Sequence, residues 1–268
     1  GVQTCALPIC ADVPVQQVVL RGEEADLTRL PVHLQHGLDG APYISAAIDF
    51  VLDPRTGLTN SGIRRLMLRG PQEAGIDLVS PSDFRAIYEA NAKSGPFPVA
   101  FVIGAHPIDY VAAMMRLPVD ELGLVASLRD APLPVVKCVT NDIRVPADAE
   151  YVIEGYLDER GHVESEGPFG EWTGYYSGSL RPVPNMQIER LYFRTDPILL
   201  GTPPGKPPND YSYMRALLKS AMIQDDLVKL GVRDVRGVWA HETGGGRLLI
   251  VVSIKQRFCG HARQVGYL

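Results

Sequence analysis

Short apolar runs of strand length, separated by turn-forming residues, dominate this chain up to residue 202. Such runs are too short for typical helices, and their content of Val, Ile, Phe and Tyr favours strands. The runs at 44–52 and 63–68 flank the turn sequence DPRTG, which predicts a strand hairpin. The other predicted strands in this part of the chain lie at 13–19, 97–103, 134–140, 150–156 and 186–194.

Helix signals are few in the same part of the chain. The sequence SPSD at 80–83 is a typical helix start, and an amphipathic pattern follows it. A second helix is predicted at 108–116. After a proline-rich loop, Asn209 or Asp210 can cap a long amphipathic helix. Two further strands are predicted at 233–239 and 247–254.

This order of elements predicts an α+β fold in three parts. Residues 11–202 form a β-rich domain, residues 203–229 a linker helix, and residues 230–268 the start of an α/β C-terminal domain. Residues 1–10 show no periodicity, and the chain stops soon after a strand-like run. We therefore expect a fragment of a longer protein, with the N-terminal part of the first domain missing and the C-terminal domain truncated.

Composition excludes several classes of protein. The net charge of −5 argues against a nucleic-acid binder that neutralises many phosphates. No apolar run reaches the length of about 18 residues that a membrane span requires. The four cysteines form no CxxC pair, so neither a disulfide scaffold nor a structural zinc site is expected. A reducing, cytoplasmic location fits this cysteine usage better.

Two carboxylates frame the short segment Glu166-Gly-Pro-Phe-Gly-Glu171. The glycines and the proline predict a tight, non-helical loop that holds Glu166 near Glu171. Neighbouring carboxylates shift each other's pKa, so one of them can stay protonated near neutral pH and deliver a proton. A surface turn with two solvated glutamates is an equally good interpretation, because this spacing is common.

A second group of polar residues lies at 58–65. The amide oxygen of Asn60 suits a hard metal ion, and Arg65 can hold a carboxylate with two parallel hydrogen bonds. A hairpin with exposed arginines is the simpler interpretation of this segment. Asp83 at a helix start and Glu121 in PVDEL are, taken alone, an ordinary helix-capping acid and an ordinary surface acid.

Five ordered segments change these interpretations. They are TNSGIRR (59–65), SPSDFR (80–85), VVKCVTNDIRVPADAEYVIEG (135–155), EGPFGEWTGYY (166–176) and IKQRFCGHARQV (254–265). In this order they resemble the UbiD-like decarboxylases, which use prenylated FMN to remove or add a carboxylate on aromatic and α,β-unsaturated acids. The resemblance implies that the β-rich domain is a split barrel that binds the flavin.

The resemblance also implies site residues. Arg65, Glu166 and Glu171 match the catalytic trio. Asn60, Asp83 and Glu121 match the ligands of a Mn²⁺ or Mg²⁺ ion that bridges to the cofactor phosphate, and K⁺ is a further candidate ion. Asp83 departs from the family pattern, which usually has histidine there, and it adds negative charge to the site. The positions that match the cofactor-binding residues are Asn60, Gly62, Ile63, Arg65, Ala112, Ala113 and Met114.

The implied reaction begins with addition of the modified flavin to the unsaturated carbon and loss of CO₂. Arg65 orients the carboxylate, Glu171 protonates the product, and Glu166 positions Arg65 and tunes Glu171. The implied partners are a small carboxylic acid, a prenyl-flavin synthase that supplies the cofactor, and further copies of the full-length chain in a homo-oligomer. Two alternatives stay open: an ordinary flavin oxidoreductase and a non-catalytic, cofactor-binding subunit of a multi-subunit carboxylase.

Overall fold

The apolar runs form the strands of an extensive antiparallel sheet. The computed structural model describes residues 8–176, 178 and 180–268. The strands of this part of the chain are β1 (Val18–Arg21), β2 (Tyr43–Leu52), β3 (Thr59–Gly70), β4 (Glu73–Ile76), β5 (Phe97–Ile103), β6 (Val135–Lys137), β7 (Arg144–Pro146), β8 (Tyr151–Leu157), β9 (Glu164–Glu166), β10 (Arg181–Val183), β11 (Asn185–Phe193), β12 (Val235–Ala240) and β13 (Ile250–Ile254).

The helices are fewer than the strands. They are α1 (Asp83–Asn91), α2 (Pro107–Ala113), α3 (Glu121–Arg129), α4 (Asp210–Lys229) and α5 (His261–Tyr267). None of the helices in the described residues is long and apolar enough to cross a membrane.

The main sheet closes on itself. Its strands lie in the order β1-β11-β4-β3-β2-β5-β8, and β8 also pairs with β11, so six strands form a barrel with β1 attached outside the circuit. All neighbouring pairs in this barrel are antiparallel. The predicted α+β class with a β-rich barrel is therefore confirmed.

The β2–β3 hairpin forms where the turn signal predicts it. Asp53 organises the turn, because its carboxylate accepts hydrogen bonds from the backbone N–H and the guanidinium of Arg55. Asp49 lies opposite Gly62 in the register of the two strands. Because side chains alternate along a strand, Arg64 and Arg65 point to opposite faces of the barrel wall.

Two apolar clusters lie on the two faces of this wall. The first includes Phe101 of β5 and Phe84 of α1, and the second includes Phe50 of β2 and Val125 of α3. Each fully buried side chain of this size contributes about 1.5–3 kcal/mol to stability. The two clusters therefore fix the orientation of β3, which carries the predicted site residues.

Several boundaries differ from the sequence predictions. Residues Pro14–Gln16 form a short 3-10 helix instead of the first half of the strand predicted at 13–19. Helix α2 ends at Ala113, before the predicted limit of 116. Helix α3 was not predicted. It begins after Asp120, whose side chain accepts a hydrogen bond from the N–H of Gly123 at 3.0 Å.

The described residues divide into two compact units. The first takes in those up to Gly170 and those from Tyr176 to Pro204, and the second comprises Glu171–Tyr175 and Gly205–Leu268. In the second unit, α4 packs on β12 and begins with the predicted cap. Asn209 and Ser212 exchange side chain–backbone hydrogen bonds there at 2.9 and 2.7 Å.

Candidate active site

Arg65 of β3 and Glu166 of β9 form a buried ion pair. The guanidinium donates from Nε to Oε1 of Glu166 at 2.8 Å and from Nη2 to Oε2 at 3.2 Å. The Glu166 residue is only 2% exposed. Such a bidentate, charge-assisted pair fixes the plane of the guanidinium. The structure therefore brings two members of the predicted trio together and excludes the solvated-turn interpretation for Glu166.

Further side chains hold Arg65 from other directions. Its Nη2 lies 3.3 Å from Oδ2 of Asp77, and its guanidinium lies 4.3 Å from the centre of the Phe169 ring. The buried Tyr43 lies beside the same group. Burial, followed by the negative charge of Glu166, raises the pKa of Tyr43 well above its ordinary value, so this hydroxyl stays neutral. Neither Asp77 nor Tyr43 is predicted at the site from the sequence, whereas Phe169 lies within the predicted loop at 166–171.

The loop after Glu166 is tied to the segment before β2. The N–H of Gly170 donates to Oδ1 of Asp39 at 2.8 Å, and the N–H of Gly40 donates to the carbonyl of Pro168 at 2.8 Å. The ring of Phe169 packs against Tyr43 with 4.4 Å between ring centres. These contacts hold the Gly-Pro-Phe-Gly loop in place. A solvated turn would need no such contacts.

Glu171 belongs to the second unit. Its backbone N–H donates to the carbonyl of Tyr175 at 3.1 Å, and its carbonyl accepts from the N–H of Gly174 at 2.9 Å. Its role as the third member of the trio stays a prediction.

Glu121 is a buried acid at the start of α3, not a solvated surface residue. Its carboxylate accepts hydrogen bonds from the N–H and the hydroxyl of Ser61, the latter at 2.6 Å, and from Nδ2 of Asn60 at 3.2 Å. Burial, with smaller effects from the charges of Asp49 and Asp83, raises the pKa of Glu121 to about 7. Two of the three predicted metal ligands therefore lie in direct contact.

Asp83 is engaged elsewhere. Its carboxylate forms a forked ion pair with Arg116, with Nη2 at 2.6 Å and Nε at 3.1 Å from Oδ1, on an exposed part of the surface. Over the described residues, no three His, Cys, Asp or Glu side chains come together as a metal centre. Around Glu121, however, the carboxylate lies together with the hydroxyl of Ser61 and the side-chain amide of Asn60. This environment suits a hard divalent cation.

The predicted cofactor-binding positions lie at two neighbouring elements. Ala112 and Ala113 are buried at the end of α2, and Met114 caps that helix. Ile63 is half-buried and packs against the second apolar cluster. Gly62 faces Asp49, and a Cβ added to it would lie 3.1 Å from Oδ1 of Asp49. The close packing against Asp49 therefore favours glycine at this position without any reference to a ligand.

Asp49 and Arg64 form a second buried pair that the sequence analysis missed. Arg64 Nε lies 3.3 Å from Oδ1 of Asp49, and Arg64 Nη2 donates to Ser82 at 2.8 Å. Asp49 is fully buried, and burial raises its pKa to about 7 against the opposing effect of Arg64. The signal in the sequence is a single acid within the apolar strand ISAAIDFVL.

Comparison with protein families adds to this geometry. A model of the UbiD family, the 3-octaprenyl-4-hydroxybenzoate carboxy-lyase Rift-related domain, matches residues 9–207. The chain belongs to the UbiD family. The family's C-terminal domain also matches, over residues 212–267. The predicted family membership is therefore confirmed.

Solved UbiD structures resemble the chain over nearly its whole length. An evolved dimeric form of the UbiD-class enzyme HmfF from Pelotomaculum thermopropionicum, in complex with prFMN, is 32% identical with a TM-score of 0.89, over 99% of this chain and 62% of that one. The HmfF structure with FMN is 33% identical with a TM-score of 0.88, over 98% and 58%.

A third solved relative is vanillic acid decarboxylase from Sedimentibacter hydroxybenzoicus in closed form. It is 29% identical with a TM-score of 0.87, over 98% of this chain and 57% of that one. The chain thus spans less than two thirds of the length of each of these three proteins.

Proposed function

We propose that the protein catalyses the reversible, non-oxidative decarboxylation of an aromatic, heteroaromatic or α,β-unsaturated carboxylic acid with prenylated FMN. The observation that carries this proposal is the buried, bidentate pair of Arg65 and Glu166. A guanidinium fixed in this way presents its remaining N–H groups to a planar anion. The solved UbiD-class enzyme that binds prFMN supports the choice of cofactor.

Arg65 orients the substrate carboxylate. As that carboxylate becomes neutral CO₂, its attraction to the guanidinium falls, so the same contact that binds the acid also releases the product. Glu166 and Asp77 hold the guanidinium in place. Glu171 donates the proton to the carbon that loses CO₂, and Glu166 tunes Glu171 through its charge.

Asn60 and Glu121 would hold a Mn²⁺ or Mg²⁺ ion, with Asp83 as a third ligand, and K⁺ is a further candidate ion. Gly62, Ile63, Ala112, Ala113 and Met114 would line the flavin. When bound, the prenylated flavin supplies the electron-accepting group for the carbon–carbon bond cleavage. The proposed metal site is supported by the hydrogen-bonded contact of Asn60 with Glu121.

The protein's surroundings are part of the proposal. A prenyl-flavin synthase supplies the cofactor, the full-length chain forms a homo-oligomer, and the reaction takes place in the cytoplasm. The evolved dimeric form of HmfF supports self-association.

The test is a decarboxylation assay of the full-length protein, co-expressed with a prenyl-flavin synthase, on a panel of aromatic and acrylic acids. We expect CO₂ release that falls at least 100-fold in Glu171→Gln and Arg65→Ala. The matched controls Glu159→Gln and Arg21→Ala change exposed side chains and should retain full activity. Parent-like rates in both site variants would refute the assigned roles.

The metal needs a separate measurement. We expect elemental analysis of the purified holo-protein to find Mn or Mg in proportion to bound flavin, and Glu121→Gln to lose the metal. Bound flavin without either metal would rule out this part of the proposal.

A further inference from the structure

Tyr43, the first residue of β2, has a buried hydroxyl without a hydrogen-bond partner. Only 1% of the residue is exposed, and no group in the described part of the chain forms a hydrogen bond with the hydroxyl. Phenylalanine at this position would keep the ring and avoid the cost of burying an unpaired hydroxyl. Departures from such local rules are expected at functional sites, so we expect a functional role for this hydroxyl.

Tyr43 shares a face of the barrel wall with Arg65. It lies opposite Met67 in the register of β2 and β3, and Arg65 lies two residues before Met67. Residues two apart on a strand point to the same face, so Tyr43 and Arg65 are diagonal neighbours within reach of each other. Both contact the ring of Phe169, whose centre lies 4.4 Å from that of the Tyr43 ring and 4.3 Å from Cζ of Arg65. Packing therefore fixes the tyrosine beside the pair of Arg65 and Glu166.

Three charged groups act on the Tyr43 hydroxyl. Glu166 has the strongest effect on its pKa, followed by Arg65 and Asp39. Arg65 offers only donors, so it cannot accept a hydrogen bond from the hydroxyl. Asp39 has the weakest effect, and both of its carboxylate oxygens accept hydrogen bonds from backbone N–H groups at 2.8 Å. Glu166 is therefore the acceptor within reach of Tyr43, although the two groups do not form a hydrogen bond in this structure.

The proposed reaction changes what Glu166 needs. Both of its carboxylate oxygens accept hydrogen bonds from Arg65 in the structure. A substrate carboxylate would compete for the same guanidinium, which has a fixed set of N–H donors. Each hydrogen bond that Arg65 gives up leaves a buried carboxylate oxygen without that donor, which is unfavourable for a residue that is 2% exposed. The neutral hydroxyl of Tyr43 can supply a replacement donor without adding charge to the site.

We propose that Tyr43 is a positioning residue whose hydroxyl donates to Glu166 when Arg65 turns toward the substrate carboxylate. Tyr43 acts through Glu166 and does not touch the substrate. Because Glu166 then keeps a donor, Arg65 can pass a hydrogen bond to the acid at a smaller cost, and the effect falls mainly on substrate binding. This inference rests on the proposed decarboxylase function.

The first part of the experiment measures urea unfolding of the full-length protein and needs no activity. In the parent, Tyr43→Phe should leave the urea midpoint unchanged or raise it, because the hydroxyl has no partner to lose. Arg65→Ala takes the guanidinium away from Glu166, as the substrate would. In that background Tyr43→Phe should lower the midpoint, because the hydroxyl is then the donor to Glu166. If Arg65→Ala does not fold, Arg65→Met fills more of the space and allows the same comparison. A lower midpoint in the parent, or equal effects in both backgrounds, would overturn the inference.

The second part measures steady-state kinetics of the holoenzyme on an acid that it decarboxylates. Tyr43→Phe should raise KM roughly 10-fold, the effect of one hydrogen bond to a charged acceptor, and should change kcat little. In a Glu166→Ala background the same change should alter KM by less than about twofold, because its acceptor is gone. Independent, additive effects of the two substitutions would mean that Tyr43 does not act through Glu166 and would contradict the inference.

Tyr88→Phe is the matched control. Tyr88 is a buried tyrosine of the same unit, and its hydroxyl donates to the carbonyl of Asp158 at 3.1 Å. Its loss should lower the urea midpoint and leave KM unchanged, the opposite pattern to Tyr43→Phe. If the protein decarboxylates no acid, the proposed function fails, and the unfolding comparison still decides whether Tyr43 donates to Glu166. If the acid is turned over and Tyr43→Phe keeps the parent's KM, the function stands and the inference fails.

Discussion

Arg65 is held by more groups than an ordinary surface arginine. Glu166, Asp77 and the ring of Phe169 contact its guanidinium from different directions. A side chain that is positioned before the substrate binds loses little conformational entropy on binding. The position of the guanidinium therefore depends on residues that do not themselves need to touch the substrate.

Glu166→Gln tests this dependence at the residue scale. The amide keeps the shape of the carboxylate but loses its charge and one acceptor oxygen, so Arg65 is held less firmly. We expect kcat/KM to fall roughly 10- to 100-fold, which corresponds to about 1.5–3 kcal/mol for a charged hydrogen bond. Steady-state kinetics measures it, with Glu164→Gln on the same strand as the control. A change below twofold would mean that Arg65 needs no support from Glu166.

Asp49 gives a second prediction at this scale, through pH. Its pKa rises from 3.8 in the unfolded chain to about 7 in the folded protein. Between these values the folded state binds a proton that the unfolded state lacks, so stability falls as pH rises from about 4 to 7 and then levels off. Asp49→Asn should remove this part of the slope, up to roughly 4 kcal/mol.

Urea unfolding at several pH values measures this pH dependence of the free energy of unfolding. The pH values run from about 4.5 to about 8, which covers most of the interval between the two pKa values of Asp49. Asp12→Asn changes an exposed acid and is the control. An unchanged slope in Asp49→Asn would show that Asp49 does not titrate in this window.

The sequence predicted the polar residues of the site better than their environments. Asn60 and Arg65 stand out by type and by family resemblance, whereas the burial of Glu121 depends on Ser61, sixty positions earlier. Contacts between residues so far apart in the chain are set by the closure of the barrel. No local pattern contains them, which is why Glu121 alone looks like a surface acid.

At the scale of elements, local signals located the β2–β3 hairpin and the starts of α1 and α4. The hairpin has its turn residues, and the helices have Ser82 and Asn209 as capping side chains. Helix α3 is not predicted from the sequence, because its apolar residues are nearly continuous and show no helical period. An apolar face therefore cannot be told from a polar face. Helix α3 is buried by β3 and by helix α2, so it needs no polar face and has no amphipathic pattern.

The closure of the barrel can be tested at Gly155 of β8. A Cβ at this position would lie 1.9 Å from the carbonyl oxygen of Gln187 on β11. Because that atom is backbone, relief requires the two strands to separate, so Gly155→Ala should cost about 3 kcal/mol or more. Chemical denaturation measures the change, with Gly70→Ala, which meets nothing within 4 Å, as the control. Equal stability of both variants would contradict the close approach.

At the scale of the whole molecule, burial is divided unequally between the two units. The barrel unit contains two large apolar clusters. In the described part of the second unit, the buried apolar residues are Ala216, Leu227, Val232 and Ala240. Since buried apolar area is the main stabilising contribution, the second unit should unfold at a lower denaturant concentration than the barrel.

The chain contains a convenient probe for this difference. Its two tryptophans, Trp172 and Trp239, both belong to the second unit, whereas Tyr43, Tyr88 and Tyr192 are buried in the barrel unit. We expect the tryptophan fluorescence transition in urea to precede the loss of far-ultraviolet circular dichroism from the barrel strands. Trp172→Phe should leave the early transition in place, because Trp239 still reports it. Coincident transitions from both probes would mean that the two units unfold cooperatively, and the loop that carries Glu171 would then be as stable as the barrel.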